Sequence, residues 1–164
     1  MFSLLTATLL LVPAENRQAP PVELKPIKYP ALMKTIAAYK GKVVVLDIWA
    51  DWCVPCKMAF PHHVQLHRKY GGDGLVCLSL SLDPAKGHES ALAFLKKMKA
   101  TFPNFRLDEE DSVWQDKFDL NGPPAVLVWD RQGKLVKKFD VNNPDVRWDH
   151  NDIEKLVKEL LKKK

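Results

Sequence analysis

The run Val43-Val44-Val45-Leu46-Asp47-Ile48-Trp49-Ala50-Asp51-Trp52-Cys53-Val54-Pro55-Cys56-Lys57 decides how this chain folds. Its first residues are apolar and β-branched, the composition of a strand covered on both faces. Beyond Cys53, the residues Met58, Phe60, Val64 and Leu66 sit among Lys57, His63, Gln65, Arg68 and Lys69, which predicts an amphipathic helix running to Gly71-Gly72. A strand therefore delivers two cysteines to the first turn of a helix.

That position sets the chemistry. At a helix start the backbone N–H groups lack intrahelical partners and the helix dipole is positive, so a thiolate is favoured over a thiol. Cys53 is expected to be the attacking sulfur. Cys56, at i+3, lies on the same helix face and can attack a mixed disulfide on Cys53, releasing the reduced product. Pro55 is tolerated there, because the N–H it lacks would have had no partner. Asp47 in an apolar strand is costly unless it serves a proton or a hydrogen bond, so it joins the two cysteines as a catalytic candidate. Trp49 reads as core, while Trp52, next to Cys53, reads as lining the substrate surface. Asp51 and Lys57 read as exposed groups that tune the site weakly.

Composition narrows the remaining choices. With 164 residues and 46% hydrophobic content, the chain has room for one globular domain with a proper core. No stretch is long enough to cross a bilayer as a mature helix. Its three cysteines cannot form a disulfide framework, and Cys77, mid-strand among apolar neighbours, reads as a buried inert thiol. A second Cys-x-x-Cys is absent, which argues against a zinc site. The formal charge of +5 comes from scattered lysines with no accompanying aromatic-basic module, so no nucleic-acid partner is expected.

Residues 1–14 contain the apolar run Leu4 to Val12 and end on Val12-Pro13-Ala14, which reads as an export signal, although no Lys or Arg precedes the run. Export to a periplasmic or extracytoplasmic space follows as an expectation. Residues 15–30 are proline-rich and read as a linker with a short edge strand at Val22–Leu24. The folded domain is expected over 31–164. Its elements should be a helix from Ala31 to about Tyr39, the strand and helix already described, and a strand over Leu75–Leu82. A helix from about Lys86 to Ala100, a short strand at Phe105–Leu107 and a helix at Ser112–Phe118 come next. Strands at Val126–Trp129 and Leu135–Phe139 should form an antiparallel hairpin, followed by a loop from Asn142 to Trp148. A C-terminal helix capped by Asn151 or Asp152 should end the chain. Strand, helix and strand in this order imply a right-handed βαβ unit with parallel strands.

Trp49-Ala50-Asp51-Trp52-Cys53-Val54-Pro55-Cys56-Lys57, followed by Pro61, resembles the active-site stretch of the thioredoxin superfamily. The export-like N-terminus and the extra length over 83–107 are most similar to the TlpA/ResA thiol-disulfide oxidoreductases. This resemblance implies an α/β thioredoxin-like fold, a central mixed β-sheet flanked by helices on both faces, from about Pro30 onward. It implies a thiol-disulfide oxidoreductase that reduces disulfides of exported proteins and is recharged by a membrane or soluble electron donor. A monomer is expected, with no metal and no cofactor beyond the redox-active Cys53–Cys56 disulfide. Asp47 matches the buried acid of thioredoxin, implied to move the proton of Cys56, a position where TlpA/ResA proteins often carry another residue. Pro124, in Gly122-Pro123-Pro124-Ala125, matches the family's cis-proline. The substrate-binding set is then Trp52, Val54, Pro55, Pro123 and Pro124. Pro123 departs from the pattern, since it has no N–H to pair with a substrate backbone.

Two other readings remain open at this point. A disulfide oxidant or isomerase would use the same residues, because the Val54-Pro55 dipeptide does not fix the potential of the pair. A copper-binding chaperone would use Cys53, Cys56 and a histidine, with His63 and His67 at i, i+4 on what reads as an exposed helix face.

Overall fold

A computed structural model describes residues 20–141 and 147–163. The export segment expected at 1–14 and most of the loop expected from Asn142 to Trp148 lie outside the described residues. Six strands form one mixed sheet: β1 (Lys25–Ile27), β2 (Val43–Trp49), β3 (Leu75–Ser81), β4 (Asn104–Leu107), β5 (Ala125–Trp129) and β6 (Leu135–Phe139). Their spatial order is β1-β4-β3-β2-β5-β6. Among the described residues, five helices flank the sheet: α1 (Tyr29–Ala38), α2 (Val54–Tyr70), α3 (His88–Met98), α4 (Asp111–Phe118) and α5 (His150–Lys162). None of the described helices is long and apolar enough to cross a membrane.

Strand β2 lies inside the sheet. It runs parallel to β3 and antiparallel to β5, and all seven of its residues are buried, as its apolar composition requires. The expected βαβ unit is β2-α2-β3. Because side chains alternate along a strand, Val45, Asp47 and Trp49 share one face. Trp49 packs there on Phe60 of α2, with ring centroids 5.2 Å apart, so this is the face that α2 covers.

Several boundaries differ from the expectations, each for a local reason. The edge strand falls at Lys25–Ile27 and not Val22–Leu24, where it pairs only with β4. An edge position suits Pro26, which has no N–H to offer a second neighbour. Helix α1 begins at Tyr29, with Pro30 in its first turn. Beyond α2 the chain continues through a 3-10 turn at Gly71–Asp73, and the left-handed residue is Gly74, at φ 101°. Helix α5 is capped by Asp149, not by Asn151 or Asp152. The Asp149 carboxylate accepts N–H bonds from Asn151 and Asp152 at 2.7 and 3.1 Å, and the Asp152 carboxylate accepts the Asp149 N–H at 3.0 Å. Asp149 is the one residue of the three whose side chain both N–H groups can reach, which makes a reciprocal capping box.

Phe60 fixes α2 on the sheet: it is fully buried and meets the rings of Trp49, Phe94, His63 and Phe102. Replacing Phe60 with Ala should cost roughly 3–5 kcal/mol in urea unfolding, by lost burial plus the cavity left behind. A cost under about 1 kcal/mol would mean that α2 is not held by this aromatic cluster.

Candidate active site

Cys53 is the N-cap residue of α2, in extended conformation, and its Sγ accepts the backbone N–H of Cys56 at 3.3 Å. Sulfur thus fills the place that a serine or aspartate oxygen usually takes at a helix start. The two cysteines are joined in a disulfide, with Cα atoms 5.3 Å apart. Pro55 lies in the first turn, and Cys53 retains 5% of its surface against 1% for Cys56.

The loop leading into Cys53 is held by Asp83, a residue that no local sequence pattern singles out. Asp83 is buried, and its two carboxylate oxygens receive the Asp51 N–H at 2.9 and 3.1 Å. Ser81 donates its hydroxyl to the same carboxylate at 2.7 Å. Strand register could have revealed this, because Trp49 pairs with Ser81 and two residues further on each strand bring Asp51 beside Asp83. Asp51 and Lys57 prove to be half-buried partners, with Nζ to Oδ1 at 2.9 Å. Their charges offset one another, which keeps their pull on the cysteines weak.

Asp47 is 6% exposed, and burial pushes its carboxyl up to about 7. Cys77, opposite Val45 on β3 and hence on the Asp47 face, is a fully buried thiol whose pKa burial pushes up, with the Asp47 charge adding to the effect. Both features agree with the readings of Asp47 as a costly buried acid and Cys77 as an inert thiol.

The substrate-binding candidates divide between two concavities and the open surface. Trp52 and Pro123 line a groove of about 850 Å³ whose other wall carries the acidic run Asp108 to Asp111. Pro124 and Asp47 line a separate cavity of about 250 Å³ between α2 and the start of α5. The Pro123–Pro124 peptide bond is cis, as the resemblance implies. Val54 and Pro55 are exposed, and with Trp52 and Met58 they form an apolar surface around the disulfide.

The histidines require a correction. His63 is buried, not exposed, and its Nε2 lies 3.0 Å from the Leu78 carbonyl oxygen. Burial lowers its pKa to about 4, so the ring stays neutral. Phe60, His63, Val64 and His67 fall at i, i+3, i+4 and i+7, so His63 lies within the apolar stripe of α2 and faces the sheet. A cysteine-histidine copper site loses its expected ligand. Among the described residues, no group of three His, Cys, Asp or Glu side chains is placed to hold a metal ion. The imidazoles that do meet are His62 and His150, stacked with centroids 4.0 Å apart, and both line the same cavity as Asp47.

A cysteine pair at a helix start, fed by the central strand of a mixed sheet and accompanied by a cis-proline, is the arrangement of redox domains of thioredoxin fold. A thioredoxin-like family model matches residues 41–135, more than half of the chain, and the chain belongs to that family. It is 30% identical over 98 residues to the thiol-disulfide oxidoreductase ResA of Bacillus subtilis, a match covering 60% of this chain and 52% of ResA. To the thioredoxin-like protein YneN of the same organism it is 32% identical over 122 residues, covering 74% of this chain and 68% of YneN. Among solved structures, a protein described as thiol:disulfide interchange protein DsbE from Chlorobium tepidum superposes with a TM-score of 0.63 at 28% identity, covering 77% of this chain and 84% of that one. The chain spans about half the length of the ResA relatives it matches.

Because the Asp47 carboxyl titrates near 7 in the fold against 3.8 as an ordinary carboxyl, the folded state holds its proton more tightly than the unfolded state. The resulting destabilisation is absent below about pH 4, grows as pH rises between these values and is fully present above 7. Asp47→Asn in the oxidised protein should therefore raise stability at pH 8 by a few kcal/mol, with most of the gain gone at pH 4. Urea unfolding at both pH values measures it, and an equal effect at both would show that the carboxyl is not a costly buried charge.

Proposed function

We propose that this chain is a thiol-disulfide oxidoreductase that reduces disulfide bonds in exported proteins. The observation that carries this reading is Cys53 at the N-cap of α2, its sulfur facing the Cys56 N–H and bonded to Cys56. A thiolate formed at that sulfur is stabilised by the same N–H and by the dipole of the helix beneath it. ResA, by its name a thiol-disulfide oxidoreductase, supports the reaction class, and the apolar run at Leu4 to Val12 supports export.

The cycle begins with the dithiol reduced. Cys53 attacks one sulfur of the substrate disulfide, and the other sulfur leaves as a thiolate. Asp47, acting through water, removes the proton of Cys56, whose sulfur then bonds to Cys53. The bond between Cys53 and the substrate breaks, and the substrate's second thiol is released. Two electrons have moved from the cysteine pair to the substrate, so no organic cofactor or metal is required. A membrane or soluble dithiol donor then restores the reduced pair, and the protein works as a monomer. Trp52, Val54, Pro55 and the two prolines Pro123 and Pro124 supply the surface on which the substrate segment lies. Proline at 123 leaves a bound backbone one N–H donor short, so peptide binding should be weaker and less register-specific than in thioredoxin.

Trapping separates the two cysteine roles. Cys56→Ser should accumulate mixed disulfides with exported proteins on Cys53, whereas Cys53→Ser should accumulate none; equal trapping by both would overturn the assignment. The reduction potential distinguishes the opposite direction of flow. A value near that of thioredoxin, about −270 mV, fits a reductant, and one near about −120 mV would make the protein a disulfide oxidant.

A further inference from the structure

Asp47 is buried, yet it lines a cavity that opens to solvent between α2 and α5. From the inside outward, the ionisable groups become steadily more exposed: Asp47 buried, His150 half-buried, His62 exposed. The two imidazoles stack at 4.0 Å with their planes 13° apart, and both line the same cavity as the acid. Its volume of about 250 Å³ accommodates several water molecules, which the polar groups among its mostly apolar lining can hold.

We propose that His62 and His150 relay the proton between Asp47 and solvent when the cysteine pair changes redox state. The proposal rests on the reading of Asp47 as the base for Cys56. As Cys56 sulfur bonds to Cys53, its proton passes to the Asp47 carboxylate, and the electron pair of the breaking bond leaves on the substrate sulfur, which takes a proton from solvent. Asp47 is left as a carboxylic acid in a pocket from which the proton must leave. A neutral imidazole accepts a proton at one nitrogen and gives up another from the second, so the half-buried and exposed rings pass it outward through cavity water. Re-reduction of the pair runs the same path inward.

The remaining ionisable groups around the cavity are committed elsewhere. Lys69 is paired with Glu154 at 2.6 Å, and Glu154 also accepts the Tyr70 hydroxyl. Asp149 caps α5, and His150 is pushed down by partial burial and then by the neighbouring His62, with the Asp149 charge opposing both. His63 is held at the Leu78 carbonyl and stays neutral. His67 is pushed down by partial burial and then by Arg68. Cys77 faces Asp47 from β3, but burial keeps it a thiol. His62 and His150 are the pair left to exchange protons.

The test uses the reduced full chain, dithionitrobenzoate and a pH-indicator dye in weakly buffered solution; the first released thiolate reports attack by Cys53, the second reports resolution by Cys56, and the dye reports the proton reaching solvent. At pH 7, His62→Gln and His150→Gln should each slow the dye signal relative to the second thiolate by roughly threefold or more and leave the first thiolate phase unchanged. Added imidazole should restore the dye signal, a response that a merely structural role would not give. In an Asp47→Asn background the histidine substitutions should have no further effect. His62 is exposed, so His62→Gln keeps the test usable even where His150→Gln disturbs the start of α5. A slow Asp47→Asn with normal histidine variants, or slowed variants that imidazole does not rescue, would overturn the relay alone. An Asp47→Asn as fast as wild type would overturn both the relay and the role of Asp47.

Discussion

Helix α2 begins with backbone N–H groups that no earlier turn can satisfy, and the site depends on a sulfur being what meets one of them. That requirement places Cys53 at the cap, and the cap must be held still. Strand β2 supplies the rigidity from one side, with β3 and β5 bonded to its flanks and every residue buried. Asp83 supplies it at the bend, gripping the Asp51 N–H with both oxygens. Phe60 supplies it from the helix, locked among aromatic rings. Loosen any one and the sulfur shifts relative to the N–H groups that favour its ionised form.

Asp47 presents the opposite balance. A carboxyl in the middle of a strand with both faces covered is a liability for folding, because the charged form loses its hydration without gaining a cationic partner among the described residues. The same burial gives the group a pKa near neutrality, where a base can both take and return a proton. Stability and proton chemistry therefore pull against each other at one position. The cavity reaching Asp47 fits the role proposed for it, since a base sealed completely in the core could not recover its starting state.

Much of this was legible in the sequence because it depends on periodicity and local chemistry. The run of valines before Asp47 could only be an interior strand, and two cysteines three apart at a helix start carry their chemistry with them. Elements whose identity depends on packing were read less well. Polarity alone puts His63 on the exposed face, whereas its spacing from Phe60 puts it in the buried stripe of α2. Asp83 was missed because it becomes relevant only once β3 lies beside β2. The contact of His62 with His150 needs α5 docked on α2, a contact across 88 positions that no local pattern reports. The cap of α5 was ambiguous for a smaller reason, since three cap-forming residues stand within four positions and only backbone geometry selects Asp149.

The arrangement also separates two tasks that a dithiol must combine. Electrons enter and leave through sulfur, which requires that a bulky disulfide approach; Trp52, Val54 and Met58, each more than half exposed, offer that approach an apolar surface. In the proposed cycle protons enter and leave through the Asp47 carboxyl, which requires water and a few polar groups but no access for a protein. A single open cleft serving both would wet the sulfurs and weaken the field that favours the thiolate. Trp52 and Asp47 line different concavities, so the proposed substrate surface and the proposed proton path do not share a space. Strand β2 makes this possible, because it carries the acid inside the sheet and, four residues later, turns outward through Asp51 to the cysteine.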